Sequence, residues 1–179
     1  CRPTHSYIDA GIKLHQELQL DRTSIKSIVV HTDSDADSSR FSISSGVVNP
    51  QQQVEAPFSF PYLISCALVL GQVGIDQINA FNDPKVLATA SIIRAERKDG
   101  MPKGQTEIVV TCDNGASCSL VLVPPSGSPN NPMSTKQLEE KFRDCAAHAL
   151  HPVDSSSVSR IISLIAEPRF MKDSRELIR

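Results

Sequence analysis

The sequence has 179 residues, which is enough for one domain whose core needs no disulfide or metal to hold it together. Apolar residues make up 40% and charged residues 21%, a composition typical of a soluble globular protein. The net charge of −2, without a cluster of basic residues, argues against a nucleic-acid-binding surface. No apolar run approaches the ~20 residues that span a bilayer, so we expect no membrane segment.

The start of the chain and its cysteines bear on origin and compartment. The chain begins Cys-Arg-Pro, without an initiator Met or a signal peptide, so we expect it to be cut from a longer polypeptide. The cysteines are odd in number and form no CxxC pair, which favours a reducing cytoplasm over a disulfide framework or zinc site. Cys112 and Cys118 face each other across a predicted hairpin and are expected to stay reduced. Cys66 and Cys145 fall on apolar helix faces and are expected in the core.

The first part of the chain predicts a helix, a strand and a long polar segment. Residues 4–18 carry an apolar stripe at helical spacing, with Thr4 as the N-cap. Residues 24–32, SIKSIVVHT, are rich in β-branched side chains and predict a strand. Residues 33–53 are polar, Ser-rich and without periodicity, which is typical of a functional or mobile segment.

Further helices are predicted after this segment. Residues 57–71 are apolar on nearly every face and end at a glycine, which predicts a helix buried on more than one side. A short helix is expected over residues 74–81. Asp83 followed by Pro84 is a strong helix start, because Asp caps the free N–H groups and proline suits the first helical position.

The middle of the chain predicts the remaining strands, over residues 91–98, 106–112 and 117–123. The last two are joined at Asp-Asn-Gly, where Asn and Gly tolerate the positive φ of a tight turn, and this indicates a hairpin. With the early strand, they predict an antiparallel sheet of about four strands. Because helices surround these strands without a βαβ alternation, the expected class is α+β, as one domain over residues 1–179.

Two helices are predicted near the end of the chain. The first begins at Ser134, with Gln137 completing a capping box, and has an apolar stripe expected to be buried: Leu138, Phe142, Cys145 and Ala149. The second is capped by Asp154 and runs to residue 166. A final turn is expected over residues 174–179.

The beginning of the first helix holds the candidate site. His5 lies beside Arg2 and Thr4, and a helix N-terminus with a nearby arginine favours anions. One interpretation is a carboxylate-binding corner in which the imidazole acts as an acid or base. The other is a surface histidine beside a capping residue, and spacing alone favours this second interpretation.

The other polar residues have simpler interpretations. His31 is expected to face solvent from its strand, and His148 and His151 to favour a helix C-terminus. Arg40 is expected in a solvated loop. No third ligand accompanies any histidine pair, and no nucleotide-binding or hydrolase motif is present, so we predict neither a metal nor a cofactor.

Six segments resemble, in the same order, those of MmgE/PrpD proteins, in the domain that follows their helical domain. They are CRPTHSYIDAGIKL, SIKSIVVHT, APFSFPYLISCALVLGQV, NDPKVLATASII, EIVVTCDNGASCS and PMSTKQLEEKFRDCA. They cover nearly the whole chain.

The resemblance implies a cofactor-independent lyase or isomerase of di- or tricarboxylates. Its members include 2-methylcitrate dehydratase, cis-aconitate decarboxylase and iminodisuccinate epimerase, which move a proton at a carbon beside a carboxylate. It implies that this domain is a C-terminal lid, that a preceding helical domain supplies much of the site, and that the enzyme is a homodimer. His5 holds the position of the family's histidine and is implied to be catalytic, with Arg2 and Thr4 binding substrate.

One departure and one alternative remain. The tyrosine that some decarboxylase members carry after the first strand has no counterpart here, where Asp33, Asp35 and Asp37 lie, so decarboxylation is not favoured. On its own, this chain is expected to be inactive. The alternative is a non-catalytic α+β domain for dimerisation or partner binding.

Overall fold

The computed structural model describes residues 1–18, 25–33, 48–103, 105–167, 173 and 175. The chain forms two compact units, Cys1–Asn131 and Pro132–Arg179. Among the helices within these described ranges, none combines the length and apolar character needed to cross a membrane. Of the predictions above, those on Arg40, Asp35 and Asp37 and most of the final turn lie outside the described residues.

The elements confirm the predicted α+β class and most of the predicted bounds. In the first unit the helices are α1 His5–Leu18, α2 Phe60–Leu70, α3 Ile75–Asn79 and α4 Pro84–Ser91, with 3-10 turns at Arg2–Thr4 and Ala56–Phe58. Its strands are β1 Ile25–Thr32, β2 Ile93–Arg97, β3 Thr106–Cys112 and β4 Ser117–Val121. The second unit contains α5 Thr135–Ala147 and α6 Ser155–Ala166.

The four strands form one sheet in the order β2-β1-β3-β4. The pairs β1–β3 and β3–β4 are antiparallel, but β1 and β2 run parallel, with Ile28 opposite Ile93. The prediction of an antiparallel sheet is therefore wrong for this pair, and the sheet is mixed. The physical reason is the connection: α2, α3 and α4 intervene between β1 and β2, and such a long crossover allows a parallel strand.

The hairpin between β3 and β4 is confirmed. Thr111 pairs with Ser117, and Gly115 in the turn has φ +85°. The Asn114 side-chain oxygen accepts a hydrogen bond from Ala116 N at 2.9 Å, which fixes the turn from within.

The principal core of the first unit lies between one face of the sheet and the helices α1 and α2. It consists of Ala10, Leu14, Ile28, Val30, Ile64, Leu68, Ile108 and Val110. The two helices approach closely at Gly11, where an added Cβ would lie 2.5 Å from the Ala67 Cβ. A glycine in mid-helix is unfavourable by roughly 1 kcal/mol relative to alanine, and here the close approach explains it.

A second apolar cluster lies on another side of α2, facing α4. It consists of Ala56, Tyr62, Leu63, Cys66, Val69 and Val86. Burial of α2 on more than one side, as predicted from its composition, is confirmed. Within this cluster the Tyr62 hydroxyl donates to the Gln77 carbonyl at 2.5 Å, and burial raises the pKa of the Cys66 thiol to about 11. Cys66 is therefore a protonated core residue near neutral pH.

The predicted start of α4 is confirmed. The Asp83 carboxylate accepts hydrogen bonds from Lys85 N at 2.8 Å and Val86 N at 3.2 Å, and Pro84 is the first helical residue. These bonds satisfy two of the backbone donors that a helix start leaves without intrahelical partners.

In the second unit, both predicted helix caps are confirmed. Ser134 and Gln137 bond reciprocally, with Gln137 N donating to the Ser134 hydroxyl and Ser134 N donating to the Gln137 side chain. The Asp154 carboxylate accepts from Ser156 N and Ser157 N, each at 3.0 Å.

The predicted buried stripe of α5 is wrong. Leu138 is 53% exposed and Phe142 37% exposed, and Cys145 and Ala149 are also exposed. Only Ala146 on this helix is buried. An apolar stripe tells which face of a helix is able to pack, but it does not supply the surface that would cover it.

Candidate functional site

The candidate site is built on the 3-10 turn that leads into α1. Three-residue periodicity places the Arg2 and His5 side chains one above the other, and both are exposed. Thr4 points the other way: it is 1% exposed, and its hydroxyl donates to the Cys1 carbonyl at 2.6 Å. Thr4 therefore stabilises the turn from its buried side, while the Arg2 and His5 side chains are exposed to solvent.

Helical geometry explains the orientation of His5. Ala10 and Leu14 face the core, and at 100° per residue His5 lies on the opposite face of α1. The ring of Tyr7 packs edge-to-face against Phe60, with centroids 5.0 Å apart, and this contact ties the first turn of α1 to α2. The buried side of the helix thus fixes the direction in which His5 projects.

Asp9 lies one turn after His5 on the same outer face of α1. Its carboxylate accepts a hydrogen bond from Ser126 N at 2.6 Å, which joins α1 to the segment that follows β4. A hydrogen bond to a carboxylate is shorter and stronger than one between neutral groups. This contact was not predictable from the sequence. The only signal was the four-residue spacing from His5, because Ser126 is 117 positions away in the sequence.

A second group of polar side chains lies on the sheet face away from α1. His31 stands opposite Glu107 across the β1–β3 pair, and Lys98 Nζ contacts Glu107 at 2.7 Å. Chiefly because of this hydrogen bond from Lys98, the pKa of the Glu107 carboxyl lies below its ordinary value. Since His31 alternates with the buried Val30 and Thr32, the sheet separates it from His5.

His31 is partly exposed on the sheet face away from the core, in line with its prediction as a solvent-facing strand residue. Its ring is only half-buried, but Nδ1 is shielded from solvent and has no hydrogen-bond partner within the described part of the chain.

The remaining histidines have local structural contacts or are exposed. His15 Nδ1 lies 3.0 Å from the Leu68 carbonyl near the end of α2, and His148 Nδ1 lies 2.8 Å from the Asp144 carbonyl of its own helix. His151 is exposed. Over the described ranges, no three His, Cys, Asp or Glu side chains are grouped so that they could hold a metal ion.

The cysteines are free thiols, as predicted for Cys112 and Cys118. Cys66 is buried, which confirms its core position, whereas Cys145 is exposed and its predicted core position is wrong. Cys145 belongs to the same uncovered stripe of α5 as Leu138 and Phe142.

Comparison with known families matches residues 1–166 to the MmgE/PrpD C-terminal domain. The match covers both the His5 turn and the two helices of the second unit. No curated protein matches the sequence.

Proposed function

This chain belongs to the MmgE/PrpD family as its C-terminal domain, and from that premise we propose that it serves a carboxylate lyase or isomerase. The substrate class is a di- or tricarboxylate, and the reaction moves a proton at a carbon beside a carboxylate without a cofactor. The supporting observation is the 3-10 turn that leads into α1, where Arg2 and His5 are three residues apart and both exposed.

Arg2 is suited to hold one carboxylate of the substrate. Its planar guanidinium offers paired N–H donors that match the two oxygens of a carboxylate. Because Arg2 and His5 lie one above the other, a substrate carboxylate bound to Arg2 places the neighbouring carbon close to the imidazole. Thr4 acts in this proposal through the turn, since its hydroxyl bonds to Cys1.

His5 is suited to move the proton. Imidazole is the side chain that most readily both accepts and returns a proton near neutral pH. Proton removal beside a carboxylate leaves negative charge on the carboxylate oxygens, and the adjacent Arg2 cation stabilises that charge. The same pair of side chains therefore serves both binding and the transition state.

The site on this chain needs a second wall. His5 is open to solvent, and proton transfer beside a carboxylate proceeds best where water is excluded. We propose that a preceding helical domain supplies the opposite side of the pocket, that the chain acts as a lid, and that the full-length enzyme is a cytoplasmic homodimer. The isolated chain is accordingly expected to turn over none of the family's substrates.

The proposal is tested in the full-length enzyme with 2-methylcitrate, cis-aconitate and iminodisuccinate. His5→Ala is expected to lower kcat/KM for the accepted substrate by about 100-fold, as for loss of an acid–base group. His151→Ala is the matched control, because it removes another exposed histidine and is expected to leave the rate within about twofold.

Two outcomes contradict the proposal. The first is unchanged turnover in His5→Ala. The second is a full-length protein that binds none of these acids but forms a stable dimer, which favours the alternative of a non-catalytic domain for dimerisation or partner binding.

A further inference from the structure

The segment that follows β4 is a stiff loop, here called the 124–131 loop. The Asn131 side-chain amide donates to the Pro124 carbonyl at 2.9 Å, and Gly127 N donates to the Asn131 carbonyl at 2.8 Å. Ser128 N also donates to the Pro125 carbonyl at 3.0 Å. Prolines at 124, 125 and 129 fix φ at those positions, so the loop has few conformations available.

Asp9 connects this loop to the candidate site. Its carboxylate accepts from Ser126 N at 2.6 Å, and Asp9 lies on the same face of α1 as His5. Side chains four residues apart on a helix have Cβ atoms about 6 Å apart. One strong hydrogen bond therefore holds a stiff loop within one helical turn of the proposed catalytic imidazole.

The Asp9 carboxylate lies one helical turn from His5, close to the proposed site for anionic substrates. An acidic side chain beside a pocket for anionic substrates repels them, and a lone carboxylate within a helical turn of His5 opposes the proposed function. The bond from Ser126 N turns the Asp9 oxygen toward the loop and compensates part of its charge. Asp9 is therefore placed to act on the loop and not on the substrate.

We propose that Asp9 is a positioning residue that holds the 124–131 loop as a side wall of the His5 pocket. This inference rests on the function proposed above. The loop restricts how a di- or tricarboxylate sits between Arg2 and the imidazole, and it does so only while Ser126 N is bound to Asp9. Asp9 itself transfers no proton.

Four variants of the full-length enzyme test this role. Asp9→Ala is expected to lower kcat/KM by roughly 10- to 100-fold, the effect of a misplaced pocket wall. Asp9→Asn keeps a side-chain oxygen that accepts from Ser126 N, so it is expected to restore the rate to within about threefold of wild type. Ser126→Pro removes the donor from the other side, and the double variant Asp9→Ala/Ser126→Pro is expected to be no slower than either single variant.

Asp83→Ala is the matched control. Asp83 also accepts backbone hydrogen bonds at 2.8 and 3.2 Å in the first unit, but these bonds come from the first turn of α4 and not from the 124–131 loop. It is expected to lower the melting temperature without changing kcat/KM. A reduced kcat/KM in Asp83→Ala would show that general destabilisation is enough to explain the slower Asp9→Ala variant, and it would overturn the positioning role of Asp9.

The outcomes separate this inference from the proposed function. If His5→Ala abolishes turnover while folded Asp9→Ala keeps the wild-type kcat/KM, the positioning role of Asp9 is overturned. The proposed lyase or isomerase function is then still supported. Equal loss in Asp9→Ala and Asp9→Asn also overturns the positioning role, because the charge and not the hydrogen bond would then matter. If Asp9→Ala does not fold, Ser126→Pro alone tests the proposal. An unchanged kcat/KM in Ser126→Pro overturns the positioning role of Asp9, and a kcat/KM lowered by roughly 10- to 100-fold supports it.

Discussion

The helix α2 and the helix α5 differ in what stabilises them. In α2, every residue from Pro61 to Val69 is buried, and the helix contributes to two apolar clusters. In α5, Ala146 is the one buried residue, although the helix also carries Leu138 and Phe142. A reciprocal bond between Ser134 and Gln137 marks its start instead. The first unit thus has an extensive buried core, whereas Ala146 and Val158 are the buried residues among those described in the second unit.

This difference shows that similar helix-forming signals do not imply similar energetic roles. Burying one large aliphatic side chain contributes about 1.5–3 kcal/mol, whereas a helix cap contributes typically ~1 kcal/mol. Substitutions in α2 should therefore affect the whole first unit, while substitutions in α5 and α6 should act locally.

The largest effect is expected at Ile64, which is fully buried between the sheet and α1. Ile64→Ala removes buried methyl groups and leaves a cavity, so the free energy of unfolding should fall by about 2–5 kcal/mol. Leu138→Ala, at a site 53% exposed, should change it by less than about 1 kcal/mol. Urea denaturation followed by circular dichroism measures both. Equal effects at the two sites would remove the contrast between the units.

An intermediate effect is expected at Gly71, which ends α2 with φ +69°. An added Cβ would lie 2.5 Å from His15 Nε2, and that ring is held by its contact with the Leu68 carbonyl. Gly71→Ala should lower the free energy of unfolding by roughly 2 kcal/mol or more, since backbone strain and a steric clash add.

Gly115 provides the control for Gly71. It has φ +85°, but no atom lies within 4 Å of an added Cβ. Gly115→Ala should therefore show the backbone strain alone, about 1 kcal/mol. If thermal denaturation gives the same loss for both glycines, the packing of His15 against the end of α2 is not tight.

The smallest effect is expected at Asp154 in the second unit. Hydrogen bonds from the Ser156 and Ser157 side chains, and from their backbone N–H groups, hold the pKa of its carboxyl well below the ordinary value. Because the folded pKa is lowered, the capping contribution is present at neutral pH and is lost as pH falls through the folded pKa, below about pH 4. Carbon NMR titration of the carboxyl should give a midpoint below that of unstructured Asp.

Asp154→Ala should loosen only the first turn of α6, as hydrogen exchange measures. Loss of protection throughout the first unit would contradict local action.

Local signals in the sequence predicted most of the fold. The Asp83-Pro84 start, the Asp-Asn-Gly turn and the Ser134–Gln137 box each depend on residues close in sequence, and each is confirmed. The direction of β2 was not predictable in this way. It depends on the path of the helices between β1 and β2, which leaves no mark in the short strand itself.

The candidate site was predicted only in part. His5 and Arg2 follow each other along the chain, so their proximity could be read from spacing and from resemblance to a family. The contact of Asp9 with Ser126 depends on how β4 returns to α1, and no local pattern encodes it. The prediction that the apolar stripe of α5 is buried was wrong for a related reason. Apolar periodicity shows which face of a helix is apolar, but not whether another element packs against that face.

The central position of β1 has a consequence for how the polypeptide acquires its structure. Both of its neighbours come from far downstream, at Ile93 and beyond, so during synthesis β1 leaves the ribosome long before either partner exists. Such non-local pairing slows folding and leaves open strand edges in the meantime. Nascent chains that end before β3 should accordingly depend on chaperones to avoid aggregation.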